Sequence, residues 1–339
     1  HAVTTSQRIT AAILPALIGI LPMPGGALFS APMIEEGLKE SALTPAHKTA
    51  INYWFRHVWE YWWPLYPGVI LTVSLLKVET WQFSVFMFPM TIVSIAFGSL
   101  FLLRDIRTTQ LVETNSDRTV LVPFVREIMP IVVIIISILV FSLLNYGLQH
   151  LTTNFPDLSD ATILVGIAMG IIWMAIKHKL PLKNMENALF SSEILPLVLL
   201  LFAIMIFKGL LIDTDAVSLL REDFNHYHIP LLGIIILMPF LSGIITGIAI
   251  GFVGVSFPLI IPLFENSSLT IFLTYAGLAY VAGYMGMMLS PVHLCLLVTK
   301  DYFKAQLFAV YAFLFKPVII VFAIAFIIFI LLTRLPIFV

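Results

Sequence analysis

The sequence predicts an all-α polytopic membrane protein. Its frame is an inverted repeat with two re-entrant hairpins and two broken transmembrane helices. Three observations carry this expectation. First, 60% of the 339 residues are hydrophobic and 11% are charged, where a soluble domain carries roughly 25% charged residues. Second, several apolar runs reach about 20 residues, enough to cross a bilayer core as helices and too uniformly apolar for barrel strands. Third, the chain repeats itself. At a shift of 226, Gly25, Ser30, Pro32 and Ile34 fall on Gly251, Ser256, Pro258 and Ile260. At 227, Tyr53, Pro64 and Thr72 fall on Tyr280, Pro291 and Thr299, and at 228 Pro89 falls on Pro317. Paired apolar segments interrupted by Gly and Pro, one pair in each half, are the mark of a secondary transporter and its binding site.

The first element is a hairpin over 9–33. In its tip, Leu21–Pro32, Pro22 and Pro24 remove backbone donors while Gly25 and Gly26 permit non-helical dihedrals. Two half-helices then meet at mid-membrane depth. The second presents free N–H groups and a positive dipole end to an anion, and Ser30 adds a hydroxyl. A Pro-kinked continuous helix is the alternative.

A broken helix over 48–76 follows, interrupted at Pro64, Pro67 and Gly68. Its sequence NYWFRHVWEYWWPLYPG is unusual for a membrane segment. Arg56 and Glu60 stand four apart and can pair on one helix face. Arg56 can hold a substrate carboxylate or phosphate, His57 can accept a proton, and Trp54, Trp59, Trp62 and Trp63 offer stacking surfaces. Ionisable groups inside a membrane helix are functional candidates by default. The competing reading places Arg56 and Glu60 near the cytoplasmic interface, neutralising each other within an aromatic belt. A crossing at 81–103 closes repeat one, residues 1–103. The polar stretch 104–126 is a cytoplasmic linker.

Repeat two, 127–339, opens with three scaffold helices at 127–148, 160–176 and 190–212, in the last of which Glu193 and Lys208 sit near the ends and snorkel. Residues 213–228 form an acidic external loop. The second hairpin spans 231–264, with its break at Gly247–Pro258. There Gly251, Gly254 and Ser256 supply small residues and a hydroxyl, and a helix-packing face is the alternative. The second broken helix, 270–299, is interrupted in GYMGMMLSPVHLCLL. Ser290, Pro291 and His293 are its site candidates, with His293 a proton carrier or substrate donor or else a structural histidine. The last crossing is 306–333. Segments 79–88 and 301–315, with Trp81, Phe83, Tyr302 and Phe303, read as interfacial helices.

Placed on this topology, twelve loop cations fall on one side and only Lys77, Arg221 and Arg334 on the other. The first side is therefore cytoplasmic, with the first hairpin opening to the cytoplasm and the second to the outside. Symmetry with repeat two predicts about three helices before residue 1, in a longer protein or on a separate chain. The net charge of −1 gives no reason to expect nucleic acid. The single Cys295 excludes a disulfide framework and, on this reading, any Cys-based metal site; it reads as a packing residue. Neither HExxH nor paired aspartates in adjacent helices appear, so an enzyme is not expected.

LPMPGGALFSAPM, NYWFRHVWEYWWPLYPG and LSPVHLCL resemble the domain of unknown function 401 family of the ion-transporter superfamily. That superfamily includes divalent-anion/sodium symporters, gluconate and arsenite permeases, and the large membrane subunits of tripartite periplasmic transporters. The resemblance covers the whole chain and implies an elevator-type transporter. It would be a homodimer in a prokaryotic inner membrane, with a scaffold and a mobile domain of two hairpins and two broken helices. It assigns the solute site to Pro24, Gly25, Gly26 and Ser30, to Gly251, Gly254 and Ser256, and to Pro64–Gly68 and Ser290–His293. A coupling Na⁺ would sit at Gly25, Gly26 and Ser30 and at Gly254 and Ser256. The divalent-anion symporters carry Ser-Asn-Thr at each tip, and no Asn stands at either tip here.

The expected function is transport of a small organic anion coupled to H⁺ or Na⁺, with no other cofactor. A cation/proton antiporter using Glu60 is the nearest rival within transport. A non-transporting membrane subunit of a larger complex is the rival outside it.

Overall fold

The computed structural model describes residues 3–334 apart from 24–25, 40, 107–110, 115–117, 152–160, 180, 182–193 and 215. The chain divides into two units, His1–Val3 with Glu113–Ala203, and Thr4–Val112 with Ile204–Val339. Fourteen α-helices are formed among the described residues. Two four-residue strands, Val3–Ser6 and Leu111–Thr114, are the extended segments there.

The larger unit opens with α1 (Gln7–Gly19) and α2 (Ala27–Gly37). They pack against each other across a break at 20–26, so 9–33 is no uninterrupted rod. Pro24 and Gly25 lie outside the described residues. Next come α3 (Pro45–Arg56) and α4 (Pro67–Leu76). Thr44 caps α3 by accepting from the His47 N–H at 3.2 Å, with Pro45 in the first turn. α5 (Thr80–Leu102) starts from a capping box of Glu79 and Gln82.

After the smaller unit the pattern returns. α10 (Leu231–Thr246) and α11 (Ala249–Ile260) pack together across Gly247 and Ile248, with a 3₁₀ turn at Ile261–Leu263. α12 (Leu269–Met288) and α13 (Leu294–Tyr302) are separated by 289–293, and α14 (Leu307–Arg334) follows. Helix–break–helix, helix–break–helix, long helix thus occurs twice. The packing also recurs. α1 packs on α3 as α10 packs on α12, α2 packs on α13 as α11 packs on α4, and α3 packs on α14 as α12 packs on α5. The α10–α12 approach is so close that a Cβ at Gly243 or Gly286 would strike the backbone carbonyl of Gly283 or Phe240. The helices around the breaks form the core, and α12 is buried along most of its length.

The smaller unit contains α6 (Arg118–Leu151) and α7 (Ala161–His178), which pack together. Gly166 and Gly170, four apart on α7, face Ile138 and Ile134 of α6, the close approach small residues permit in membrane helices. α8 (Ile194–Asp213) runs from one unit into the other.

Four expectations are corrected. α6 begins at Arg118, so part of the 104–126 linker is helix. The 213–228 loop holds α9 (Ala216–His226), whose polar face offers i,i+4 neighbours a loop would not. Segments 79–88 and 301–315 form no separate interfacial helices. α5 and α14 run straight through Pro89 and Pro317, because a single proline kinks rather than stops a helix whose neighbours satisfy the freed carbonyl. Finally, α3 stops at Arg56, well before Pro64.

Among the described residues, three helices, Thr80–Leu102, Leu269–Met288 and Leu307–Arg334, are long and apolar enough to cross a membrane. Large apolar side chains lie exposed on α6, α7, α8 and α14, among them Leu143, Ile176, Ile206 and Ile319. Water would penalise such surfaces and lipid does not.

Candidate functional site

The four breaks are linked by hydrogen bonds and close contacts. From the end of α3, Arg56 reaches the first break and donates from Nη2 to the Met23 carbonyl at 2.6 Å. Gly26 packs closely there: a Cβ would lie 2.5 Å from Arg56 Nη2, so the guanidinium would have to shift. His57 Nε2 lies 3.2 Å from His293 Nε2, joining the break after α3 to the break after α12. Ser290 donates to the Ile244 carbonyl at 2.7 Å, tying that break to the second hairpin. Gly247 sits against it with φ of 64°, where a Cβ would stand 2.9 Å from Ser290 Oγ and 3.0 Å from the His293 nitrogen. Only glycine adopts this conformation without strain.

An ionisable cluster fills the centre. Arg56, His57, Glu60, His293 and Cys295 are all buried, with Arg56 2% and His57 1% exposed. Glu60 Oε1 is 3.8 Å from Arg56 Nη1 and 3.7 Å from His57 Nε2. Both are too long for hydrogen bonds, and the first is an ion-pair distance. Arg56 Nε has no hydrogen-bond partner among the described residues. Such a donor costs free energy unless something accepts from it, and guanidinium recognises carboxylate or phosphate. Arg56 and Glu60 therefore approach each other across a helix end, not along one continuous face.

Sequence reasoning missed the groups that hold the breaks open. A helix that stops inside the core leaves carbonyls needing donors. Four carbonyls in 57–66 receive a donor from other helices, while those of Trp59 and Trp63 accept from local N–H groups. Tyr284 donates to His57 O at 2.6 Å, Thr91 to Val58 O at 2.5 Å, Tyr280 to Glu60 O at 2.8 Å and Ser84 to Trp62 O at 2.9 Å. Tyr53 donates to Met288 O at 3.2 Å and Tyr66 to Gly19 O, serving the ends of α12 and α1. Asn52, fully buried, donates to Ala27 O at 3.1 Å at the start of α2. The matched pair Tyr53 and Tyr280 was the available signal, since both tyrosines serve a break in the opposite half.

The remaining candidates divide. Pro64, Ser290 and Pro291 lie in breaks, Gly26 precedes α2, His293 precedes α13, and Pro67 and Gly68 form the first turn of α4. Gly68 abuts Ala249 at the start of α11. Ser30, Gly251, Gly254 and Ser256 instead lie inside helices. Ser30 and Ser256 donate back to Ala27 O and Phe252 O, at 3.3 and 2.6 Å, and Gly254 faces Ile204. The second break is thus confined to Gly247 and Ile248, and Gly254 serves helix packing.

Cys295 also corrects the sequence reading. Its Sγ and a ring nitrogen from each of His57 and His293 lie within 4.8 Å of one another. A single cysteine rules out a cysteine-only metal site but not a mixed one.

No curated protein matches the chain. A family match covers residues 3–332, nearly the whole chain. On this match the protein belongs to the membrane-protein family described as Protein of unknown function (DUF401).

Proposed function

We propose that the protein is a secondary active transporter that moves a small organic anion by elevator-type alternating access, coupled to H⁺ or Na⁺. The observation that carries this reading is the linking of four helix breaks beside a buried Arg56 whose Nε has no partner among the described residues. Transporters of the inverted-repeat kind bind solute where discontinuous helices meet near the bilayer midplane. The recurring element order and packing support an inverted repeat, in which 9–33 and 231–264 are hairpins entering from opposite faces of an inner membrane. Half-helix N-termini at Ala27 and Leu294 add positive dipole ends beside Arg56 and His293. On this reading the anion engages Arg56, the His57–His293 pair takes part in proton movement, and two copies form a homodimer around the scaffold helices.

The test is uptake of a panel of labelled carboxylates into proteoliposomes under an imposed H⁺ or Na⁺ gradient. Accumulation that Arg56→Lys weakens and Arg56→Gln abolishes is expected. An absence of uptake and of exchange across the panel under both gradients would remove the anion reading. The buried Glu60 carboxylate keeps a cation/proton antiporter as the second reading. Cation-driven dissipation of a pH gradient, lost in Glu60→Gln, would select it.

A further inference from the structure

We propose that His57, His293 and Cys295 form a binding site for one thiophilic transition-metal ion, with Cu(I) the best fit.

The geometry comes first. The two Nε2 atoms are 3.2 Å apart, close to the separation of about 3.3 Å expected for two imidazole nitrogens bound 2.0–2.1 Å from one tetrahedral ion. A thiolate sulfur and an imidazole nitrogen on the same ion would stand about 3.5 Å apart. All three donor atoms already lie within 4.8 Å, so small side-chain rotations complete the set. The ligands come from separate elements held by the breaks. His57 follows α3, while His293 precedes α13 and Cys295 is that helix's second residue.

The outer contacts suit ligation. His57 Nδ1 lies 2.6 Å from Tyr53 O, and a carbonyl can only accept, so Nδ1 carries the proton and Nε2 presents its lone pair to the cluster. In the metal-free state His293 Nε2 then donates to that lone pair. On binding, the His293 proton moves to Nδ1, beside the Gly247 backbone.

Charge selects the ion. Cys295 binds as thiolate and releases one proton to solvent, with no change in oxidation state. With Glu60 and Arg56 beside the cluster, a monovalent ion leaves the group neutral, whereas a divalent ion leaves one positive charge buried. Two imidazoles with one thiolate also suit a soft ion.

The experiment uses the intact purified chain in detergent. Anaerobic Cu(I) is titrated against a chromogenic Cu(I) chelator, with Zn²⁺ in a parallel arm. One equivalent of Cu(I) withheld from the chelator is expected. Cys295→Ser and His293→Gln should weaken retention by at least about 100-fold, the upper end of the cost of losing an outer-shell partner. Complete surrender of Cu(I) by the wild type, or equal retention by Cys295→Ser, would overturn the proposal, and retention of Zn²⁺ in place of Cu(I) would overturn the charge argument. Because Cys295 is the sole cysteine, a second measurement needs no variant. Alkylation of the wild type by a small maleimide, read by mass spectrometry, should slow sharply with one equivalent of Cu(I), and an unchanged rate would equally refute the site. Carboxylate uptake by metal-free protein is a separate measurement, so this site and the anion reading can fail independently.

Discussion

The two broken helices share a plan and differ in content. The break between α3 and α4 spans ten residues, 57–66, and the one between α12 and α13 spans five, 289–293. The longer carries His57 and Glu60 directly behind Arg56 and takes donors from Tyr284, Thr91, Tyr280 and Ser84. The shorter contributes His293 and is held locally, with the Val292 N–H donating to Ser290 Oγ at 3.3 Å. A shift of 227 puts Gly283, Tyr284 and Met287 opposite Arg56, His57 and Glu60. The first broken helix therefore supplies most of the ionisable groups, while the second has a small residue, a phenol and a thioether at the matching positions, the phenol of Tyr284 donating to His57 O.

Breaking the charged half should have the largest effect. Arg56→Ala leaves Glu60 buried without its counter-ion and is expected to cost about 3–5 kcal/mol, read as a fall in Tm in detergent. The double variant Arg56→Met with Glu60→Met should regain most of that stability, since an apolar replacement of a buried pair is often neutral, yet should remain inactive in uptake. Recovery of both would show the pair to be structural only. Next comes the phenol half. Tyr284→Phe removes one of two donors to the His57 carbonyl, which keeps the Glu60 N–H at 3.1 Å, and should cost roughly 0.5–1.5 kcal/mol, while uptake measured well below the new Tm persists.

Gly247→Ala should cost about 1–3 kcal/mol from backbone strain alone and should perturb His293. Gly209→Ala, whose Cβ meets nothing within 4 Å, is its control and should be neutral or slightly stabilising. The smallest effect falls outside both breaks. Thr44→Ala removes the α3 cap and should cost about 1 kcal/mol without altering uptake.

Much of this comparison was legible in the chain. Pro64, Pro67, Gly68 and Pro291 mark backbone that cannot continue as helix, and two breaks lie there. The limits of the first break were not legible, because residues 57–63 contain neither Gly nor Pro. Helix is abandoned there because hydroxyls distant in sequence accept the task of satisfying the carbonyls, a tertiary effect without local signature. Nor was it legible that Ser30 and Ser256 lie inside α2 and α11 and bond back to their own turns. The cysteine was set aside because counting cysteines ignores histidines brought beside them by folding.

The ties from Tyr280 and Tyr284 also bear on how the protein is assembled during synthesis. Residues 57–63 leave the ribosome more than two hundred positions before those phenols exist. Until α12 arrives, the cheapest state for that stretch in lipid is continued helix, with its carbonyls satisfied internally. The break would then be opened late, by the second half unwinding a turn that the first half had already wound.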